Sequence, residues 1–164
     1  GSDDAKARAW NAATGFVEAF SDNYQAGRCM MLLGQVGTGK THLATGILQQ
    51  VIRYFGNQGV TGLYTTASAI IRSVKGTFGN PAKTESQVYA DLIAPHLLVI
   101  DEVERATLFE VINGRYEQMK PTIVVSNLSI TDLKLSMGDR AVDRLRDRGG
   151  LVCVFRWPSA RGAA

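Results

Sequence analysis

Apolar residues along the chain fall into short runs, and the stretches between these runs carry helical periodicity. Short apolar runs bounded by polar or glycine-rich segments are typical of strands that are buried on both faces. We therefore predict strands over residues 29–33, 60–66, 97–100, 121–126 and 151–157. Strands that alternate with helices indicate an α/β fold with a parallel sheet between two helical layers.

Apolar residues spaced three and four apart predict the intervening helices. Their expected spans are residues 3–20, 40–55, 67–75, 84–92, 105–119, 129–135 and 139–148. The polar triplet Ser21-Asp22-Asn23 is expected to end the first helix, and Thr84 with Gln87 has the spacing of a capping box. On or near one apolar face, the first helix would carry Trp10, Phe16, Val17 and Phe20.

The length of 164 residues fits one domain, which we place at residues 3–164. Gly1-Ser2 has the look of a remnant of a cleaved expression tag, which would make the chain a fragment of something longer. No apolar run is long enough to span a bilayer, so no membrane association is expected. Cys29 and Cys153 lie in strand-like runs and are expected to be small buried residues, which fits a reducing cytoplasm.

The net charge of +3 comes from the last part of the chain. From Ser129 onward there are seven lysines and arginines against four aspartates, and the remaining residues balance to zero. A basic end of this size is compatible with an anionic partner.

The stretch "GQVGTGKT", residues 34–41, matches G-x-x-x-x-G-K-[ST] at every defined position and lies between a predicted strand and a predicted helix. Its glycines allow backbone N–H groups to turn inward and form an anion nest at a helix N-terminus. We expect Lys40 to reach the β- and γ-phosphates and the Thr41 hydroxyl to bind Mg²⁺. The candidate nucleotide-binding residues in this segment are Gly34, Val36, Gly37, Thr38, Gly39, Lys40, Thr41 and His42.

His42 has no second histidine or cysteine at ligand spacing, so a packing or surface role is expected for it rather than a catalytic one.

The stretch "LLVIDEV" places Asp101 and Glu102 at the carboxyl end of a predicted strand, where ligands bind in open α/β sheets. Asp101 is expected to hold Mg²⁺ through its water shell, and Glu102 is expected to act as general base on the attacking water. Asn127 ends the next strand and could orient that water, although asparagine at a strand end is also common turn chemistry. Together with the phosphate loop, the acidic pair indicates hydrolysis of ATP or GTP.

The stretch "GDRAVDRLRDRGG" places Arg140, Arg144 and Arg148 on one helical stripe, next to a stripe of aspartates. One interpretation is a solvated helix with pairs such as Arg140–Asp143 and Arg144–Asp147. The alternative is that one arginine contacts a nucleotide in a neighbouring subunit and stabilises transition-state charge there. The pattern alone leaves both interpretations open.

These motifs, in this order, resemble the AAA+ ATPases of the DnaC type, the bacterial and phage loaders of the replicative helicase, which are related to DnaA and IstB ATPases. The resemblance extends from the first predicted helix to the C-terminus. It is most specific in the Thr-His-Leu-Ala that continues the phosphate loop and in the Asp-Arg-Leu-Arg box. It implies a P-loop AAA+ domain with a five-stranded parallel sheet that binds ATP or ADP with Mg²⁺.

The resemblance also implies roles for single residues. Asn127 matches the first sensor, Arg144 the arginine finger that completes a neighbour's site on self-assembly, and Arg161 a second-sensor arginine. Lys75 and Phe78 match positions that contact single-stranded DNA, where charge would hold phosphate and the ring would stack on a base. A core aromatic under the loop is the equally open alternative for Phe78.

Two departures from the family pattern qualify this picture. The family's N-terminal domain, which grips the replicative helicase, is absent from the sequence, so the chain alone is not expected to load helicase. The family also has a longer glycine-containing segment after the acidic pair, whereas here Val103 runs directly into Glu104-Arg105-Ala106.

The leading hypothesis is an ATP-hydrolysing helicase-loader core that acts in DNA replication, turns over slowly in isolation and binds single-stranded DNA according to its nucleotide state. The alternatives are an IstB-like transposition helper, or a nucleotide switch with negligible turnover alone.

Overall fold

The computed structural model describes residues 1–104 and 108–162, and within them five strands form one parallel sheet. The sheet order is β2-β3-β4-β1-β5, so β1 lies between β4 and the edge strand β5. The carboxyl ends of all five strands therefore meet at one edge of the sheet. The strands are β1 (Met30–Gly34), β2 (Gly62–Thr66), β3 (Leu97–Asp101), β4 (Thr122–Ser126) and β5 (Leu151–Phe155).

Helices cover both faces of this sheet. The helices are α1 (Ser2–Glu18), α2 (Phe20–Ala26), α3 (Lys40–Phe55), α4 (Ala67–Lys75), α5 (Glu85–Ile93), α6 (Phe109–Glu117), α7 (Ile130–Met137) and α8 (Asp139–Arg146). Met30 and Leu32 pack against the layer of α1 to α3, whereas Met31 and Leu33 pack against the layer of α4 to α8. Because β1 is buried on both faces, its run is continuously apolar, and the predicted three-layer α/β fold is confirmed.

The expected break at residues 21–23 is wrong, because this triplet lies inside α2. The chain turns earlier, at Ala19, and Asn23 is buried with its Nδ2 donating to the Phe16 carbonyl at 3.0 Å. Its polar side chain thus satisfies the end of α1 instead of facing solvent. Trp10 also departs from expectation, since 66% of it is exposed, whereas Phe16 is buried.

The last predicted helix ends earlier than expected. α8 stops at Arg146, and Arg148 follows in the left-handed region with φ 56°. The capping box of Thr84 and Gln87 is confirmed by reciprocal hydrogen bonds at the start of α5.

The helix after β3 also has bounds that differ from those expected. The helix predicted over 105–119 is α6, which begins at Phe109, and residues 105–107 lie outside the described part. The junction where Val103 meets Glu104 is described, and the Val103 N–H there donates to the Val125 carbonyl at 3.0 Å.

Both cysteines are free thiols. Cys29 is buried as expected, but Cys153 is only partly buried because it lies on the edge strand β5. Burial raises the pKa of both thiols. In the part of the chain that is described, no helix has both the length and the apolar character needed to cross a membrane.

Among residues 1–104 and 108–162, Arg115 on α6 is the largest fully buried side chain that carries charge, with 0% exposure. Burial lowers its pKa to about 10, so the guanidinium keeps its proton at neutral pH. It ties the end of α5, the turn into β3 and the start of β4 together. Its acceptors are the carbonyls of Leu92, Ile93, Pro95, His96 and Pro121 and the hydroxyl of Thr122.

Replacing Arg115 should strongly destabilise the fold. Arg115→Met keeps much of the volume but leaves buried carbonyls without a donor, which should lower the free energy of unfolding by about 3–5 kcal/mol. Chemical denaturation measures the loss. The exposed Arg53→Met on α3 is the matched control, expected to change stability by less than about 0.5 kcal/mol. Equal stability of both variants would contradict the anchoring role of Arg115.

Candidate functional site

The phosphate loop, residues 34–41, leaves the end of β1 and enters α3 at Lys40. Its glycines adopt conformations that side chains rarely take, with φ 143° at Gly34 and 78° at Gly37. A Cβ atom at Gly34 would lie only 2.5 Å from the Phe155 carbonyl oxygen, and one at Gly37 would collide with the Ser159 side chain. These positions therefore need glycine both for backbone conformation and for close approach of the last strand and the chain that follows it.

Lys40 points into this loop and is only 5% exposed. Its Nζ donates to the Gln35 carbonyl at 2.6 Å and to Thr38 Oγ1 at 3.3 Å. Burial lowers the pKa of Lys40, and the nearby Asp101 carboxylate opposes that shift. The ammonium is thus held at the centre of the loop by weak neutral acceptors, which phosphate oxygens could replace with much stronger charge-assisted bonds.

Asp101 at the end of β3 connects three segments of the site and is 2% exposed. Its Oδ2 accepts from Thr41 Oγ1 at 2.7 Å and from the Tyr64 hydroxyl at 2.6 Å, and its Oδ1 accepts from the Glu102 N–H at 2.7 Å. Burial, followed by the bond to Asp101, raises the pKa of Tyr64 well above its ordinary value, so the phenol remains a donor. Sequence reasoning placed Thr41 and Asp101 together correctly but missed Tyr64.

The residues at this point fit Mg²⁺ and not an ion that is caged by protein ligands alone. Within the described ranges 1–104 and 108–162, no group of three or more histidine, cysteine or carboxylate side chains could hold a metal. Thr41 and Asp101 are the two residues whose oxygen atoms would be available to such an ion, and they contact each other beside the loop. Magnesium typically takes one or two protein ligands and completes its shell with water and nucleotide phosphates.

Glu102 and Asn127 both lie at the carboxyl edge of the sheet, because β3 and β4 are neighbours. Glu102 directly follows Asp101, is exposed to solvent and has φ 55°. Asn127 is also exposed, and its Nδ2 donates to Glu104 Oε1 at 3.0 Å instead of to Glu102. The structure thus places both expected residues near each other but gives Asn127 a partner that sequence reasoning did not foresee.

The segment after β5 folds back onto the phosphate loop. Trp157 Nε1 donates to the Thr38 carbonyl at 3.0 Å, and the Ala160 N–H donates to the Gly37 carbonyl at 2.9 Å. Because C=O and N–H point in opposite directions across a trans peptide, these bonds turn the N–H groups of Thr38 and Gly39 to the other side. The C-terminal segment therefore orients two donors of the anion nest.

Arg161 lies beside the same loop. Its Cδ is 3.6 Å from the position that a Cβ at Gly37 would occupy. The family resemblance implied that Arg161 is a second-sensor arginine, and the structure brings it to the phosphate loop while its role stays a prediction.

Arg144 lies elsewhere, against α6. Its Nε donates to Asn113 Oδ1 at 2.6 Å, and its guanidinium carbon lies 5.1 Å from the ring centre of Tyr116 and 5.5 Å from that of Phe109. Arg140 lies over Phe109 as well.

One of the two interpretations left open by the sequence, intrahelical pairs such as Arg140–Asp143 and Arg144–Asp147, is wrong, since no such ion pair forms within residues 1–104 and 108–162. The aromatic rings and the amide of α6 attract the arginines instead, and Asp147 accepts from the Tyr116 hydroxyl.

The three remaining candidates are surface residues. His42 is exposed on α3, directly after the loop, as expected. Lys75 is the exposed last residue of α4, and Phe78 shortly after it is 74% exposed. The interpretation of Phe78 as a core aromatic is therefore wrong.

Sheet order, phosphate loop and acidic strand end together define a P-loop nucleotide-binding domain with the AAA+ fold. A sequence profile described as "IstB-like ATP binding protein" matches residues 16–149, and the chain belongs to that family.

The chain is similar to the replicative helicase loaders. It is 30% identical to DnaC of Escherichia coli strain K12 over 161 residues, which cover 93% of this chain and 63% of DnaC. It is 29% identical to DnaC of Buchnera aphidicola subsp. Acyrthosiphon pisum over 167 residues, covering 96% of this chain and 65% of the relative. The chain thus spans slightly less than two thirds of the length of these relatives.

Solved structures show the same fold. The crystal structure of the DnaC helicase loader superposes with a TM-score of 0.76 at 23% identity, covering 92% of this chain and 89% of that one. The replication initiator DnaA bound to AMPPCP and single-stranded DNA gives a TM-score of 0.71 at 21% identity, covering 90% and 47%. The resemblance to DnaC-type AAA+ proteins is confirmed, whereas the roles of single residues stay predictions.

Removing the indole N–H of Trp157 should weaken ATP binding. Trp157→Phe keeps the aromatic ring but frees the Thr38 carbonyl, so the loop loses part of its orientation before ATP arrives. We expect the Kd for a fluorescent ATP analogue to rise about three- to tenfold, the value of one hydrogen bond. Trp10→Phe, on the exposed side of α1, is the control and should leave the Kd unchanged; a similar Kd for both variants would contradict the role of Trp157.

Proposed function

We propose that this chain is the ATP-hydrolysing core of a helicase-loader-type protein that acts in DNA replication. The observation that carries the proposal is the contact of Thr41 with Asp101 beside the buried Lys40, with Glu102 at the open edge. A binding site alone needs the loop and its lysine. A carboxylate beside a metal-binding pair adds the group that hydrolysis requires.

Each residue of the site has a role in this proposal. Mg²⁺ and the loop would neutralise phosphate charge, with Thr41 and Asp101 holding the ion and Lys40 contacting the phosphates. Glu102 would take the proton of the attacking water, and Asn127 would hold that water in line. The products are ADP and phosphate.

Arg144 would act on the nucleotide of a second copy of the chain. The helix that carries it, α8, lies between α7 and β5 in the chain, and the Arg144 side chain contacts α6 rather than the phosphate loop. An arginine in that place can reach a nucleotide in another subunit without disturbing its own site. The turnover of one chain by itself would consequently be slow.

Arg144→Ala should abolish DNA-stimulated ATP hydrolysis and leave ATP affinity unchanged. An arginine supplied by a neighbour is worth about 10³–10⁵ in rate in well-studied nucleotide hydrolases, so a loss of at least about 100-fold is expected. Steady-state phosphate release and titration with an ATP analogue measure the two quantities. Glu102→Gln is the comparison that removes hydrolysis within the chain's own site.

Mixing variants distinguishes an arginine that acts in the site of a neighbouring chain from a residue that acts in its own site. Arg144→Ala chains keep a working loop and Glu102→Gln chains keep the arginine, so a mixture should recover activity that neither has alone. Turnover of Arg144→Ala equal to that of the original chain would contradict the assignment of Arg144. Turnover that stays negligible for the original chain, with and without DNA, would favour a nucleotide switch over an ATPase.

Single-stranded DNA is the proposed second ligand, contacted by Lys75 and Phe78. Support comes from the exposure of both side chains at the end of α4, where a cation and a bare aromatic ring lie three residues apart. Backbone phosphate attracts the first, and bases stack on the second. A solved relative of the same fold, DnaA, is described as bound to single-stranded DNA.

Phe78→Ala should weaken binding of a labelled oligonucleotide about 5- to 150-fold in the presence of ATP, the range expected for one stacked base. Lys75→Ala should instead lower the steepness of the salt dependence by roughly 0.7, the value for one single-strand phosphate contact. Fluorescence anisotropy over a salt series measures both. Leu135→Ala removes an exposed apolar side chain on α7 and is the control; DNA affinity equal to the control would contradict the role of Phe78.

A transposition helper is the second candidate, favoured by the description of the matching family as IstB-like. Both candidates share the ATPase core and differ in the protein that they assist. Co-purification from cells with the full-length protein distinguishes them, because a replicative helicase would be captured in one case and a transposase in the other.

A further inference from the structure

The side of α6 that faces α8 forms a regular surface, which we call the α6 platform: Phe109, Asn113 and Tyr116. These residues are spaced four and three apart and therefore lie on one face of the helix. Three arginines lie against this face, each with its guanidinium within 5.5 Å of a ring centre. They are Arg140, Arg144 and Arg148.

Of the three arginines, Arg144 is the one whose side chain contacts every residue of the platform. It contacts both rings of the platform and donates its Nε to Asn113 Oδ1 at 2.6 Å, a short charge-assisted bond. Arg140 is exposed and contacts Phe109 only, at 5.2 Å. The platform thus holds Arg144, which the proposed function requires, by more contacts than it makes with Arg140 one turn earlier.

The amide of Asn113 is itself oriented. Its Nδ2 donates to Glu117 Oε1 at 3.1 Å, one helical turn further along α6. With the amide nitrogen directed at a carboxylate, the amide oxygen is left for the arginine. Glu117, Asn113 and Arg144 therefore form a chain in which each member fixes the next.

The Tyr116 ring is fixed from both sides as well. Its hydroxyl donates to Asp147 Oδ2, and the Arg148 guanidinium lies 3.8 Å from its ring centre while donating to the Tyr116 carbonyl at 2.6 Å. A ring held by these contacts gives Arg144 a flat surface in a defined place.

The two Nη groups at the far end of the Arg144 side chain are the part that could contact a ligand. Its Nε is occupied, and within residues 1–104 and 108–162 no hydrogen bond occupies either of its Nη groups. These two amino groups form the planar pair that binds phosphate in a bidentate manner. The side chain has already lost much of its rotational freedom, so less is lost when a phosphate binds.

We propose that Asn113 is a positioning residue that holds Arg144 in the orientation needed to contact the nucleotide phosphates of a second copy of this chain. The proposal rests on the proposed function, in which Arg144 acts in the neighbour's site. Asn113 does not touch the nucleotide itself and acts only through Arg144. The Phe109 and Tyr116 rings define the plane of the guanidinium, and the Asn113 amide defines its rotation within that plane.

The test compares Asn113→Leu with Gln118→Leu, which removes an exposed amide at the end of the same helix. Asn113→Leu should lower DNA-stimulated turnover about tenfold, the loss expected when one charge-assisted hydrogen bond no longer orients the arginine. Its own ATP affinity should stay unchanged, because its phosphate loop is intact. Asn113→Asp retains the acceptor oxygen and should restore most of the turnover.

A double variant and a mixture distinguish positioning from a general structural role. Adding Asn113→Leu to Arg144→Ala should cause no further loss, since the arginine through which Asn113 acts is already gone. Mixing Asn113→Leu with Lys40→Ala chains, which bind no nucleotide but supply a correctly held Arg144, should restore hydrolysis in the Asn113→Leu sites.

The contradicting outcomes separate the positioning role of Asn113 from the role of Arg144. Normal turnover of Asn113→Leu, a further loss in the double variant, or no rescue in the mixture would overturn the positioning role and leave the role of Arg144 intact. Normal turnover of Arg144→Ala would overturn the proposed function at this site, and the positioning role of Asn113 with it.

Discussion

The hydrogen bonds to the Asp101 carboxylate are the interaction on which the rest of the site depends. A buried carboxylate is costly unless donors surround it, and here the donors come from β2, from the start of α3 and from the chain just after β3. The same bonds therefore stabilise the carboxyl edge of the sheet and align Thr41 with Asp101. Any ligand that recruits Thr41 or Asp101 must fit into a network that the fold already requires.

The chemistry of the phosphate loop could be predicted from sequence because it is local. Gly37, Gly39, Lys40 and Thr41 are close along the chain, and strand and helix signals on either side fix where the loop lies. The parallel sheet was predictable for a similar reason, since continuous apolar runs such as residues 97–100 occur when helices cover both faces.

The residues that sequence reasoning missed act through long-range contacts. Tyr64 lies 37 positions from Asp101, Asn113 lies 31 from Arg144 and Trp157 lies 119 from Thr38. No periodicity or motif links such positions, because tertiary packing alone brings them together. The misjudged triplet at residues 21–23 has a more local cause: Asn23 looks like a helix breaker in sequence, but its side chain is buried and donates to the Phe16 carbonyl seven residues earlier.

Helix α6 relates the stability of the fold to the proposed contact between copies. Its inner side carries Arg115, which fixes the helix against α5, the turn into β3 and the start of β4. Its outer side carries the amide and the rings that hold Arg144. A platform can orient an arginine only if it is itself immobile, and the buried guanidinium supplies that rigidity. Helix α6 follows the strand that bears Asp101, and Arg115 fixes it near the opposite edge of the sheet, where β3 and β4 begin. In the proposed assembly, the geometry of one nucleotide site is therefore determined by the packing of two chains, with the phosphate loop rigid in one and the arginine rigid in the other.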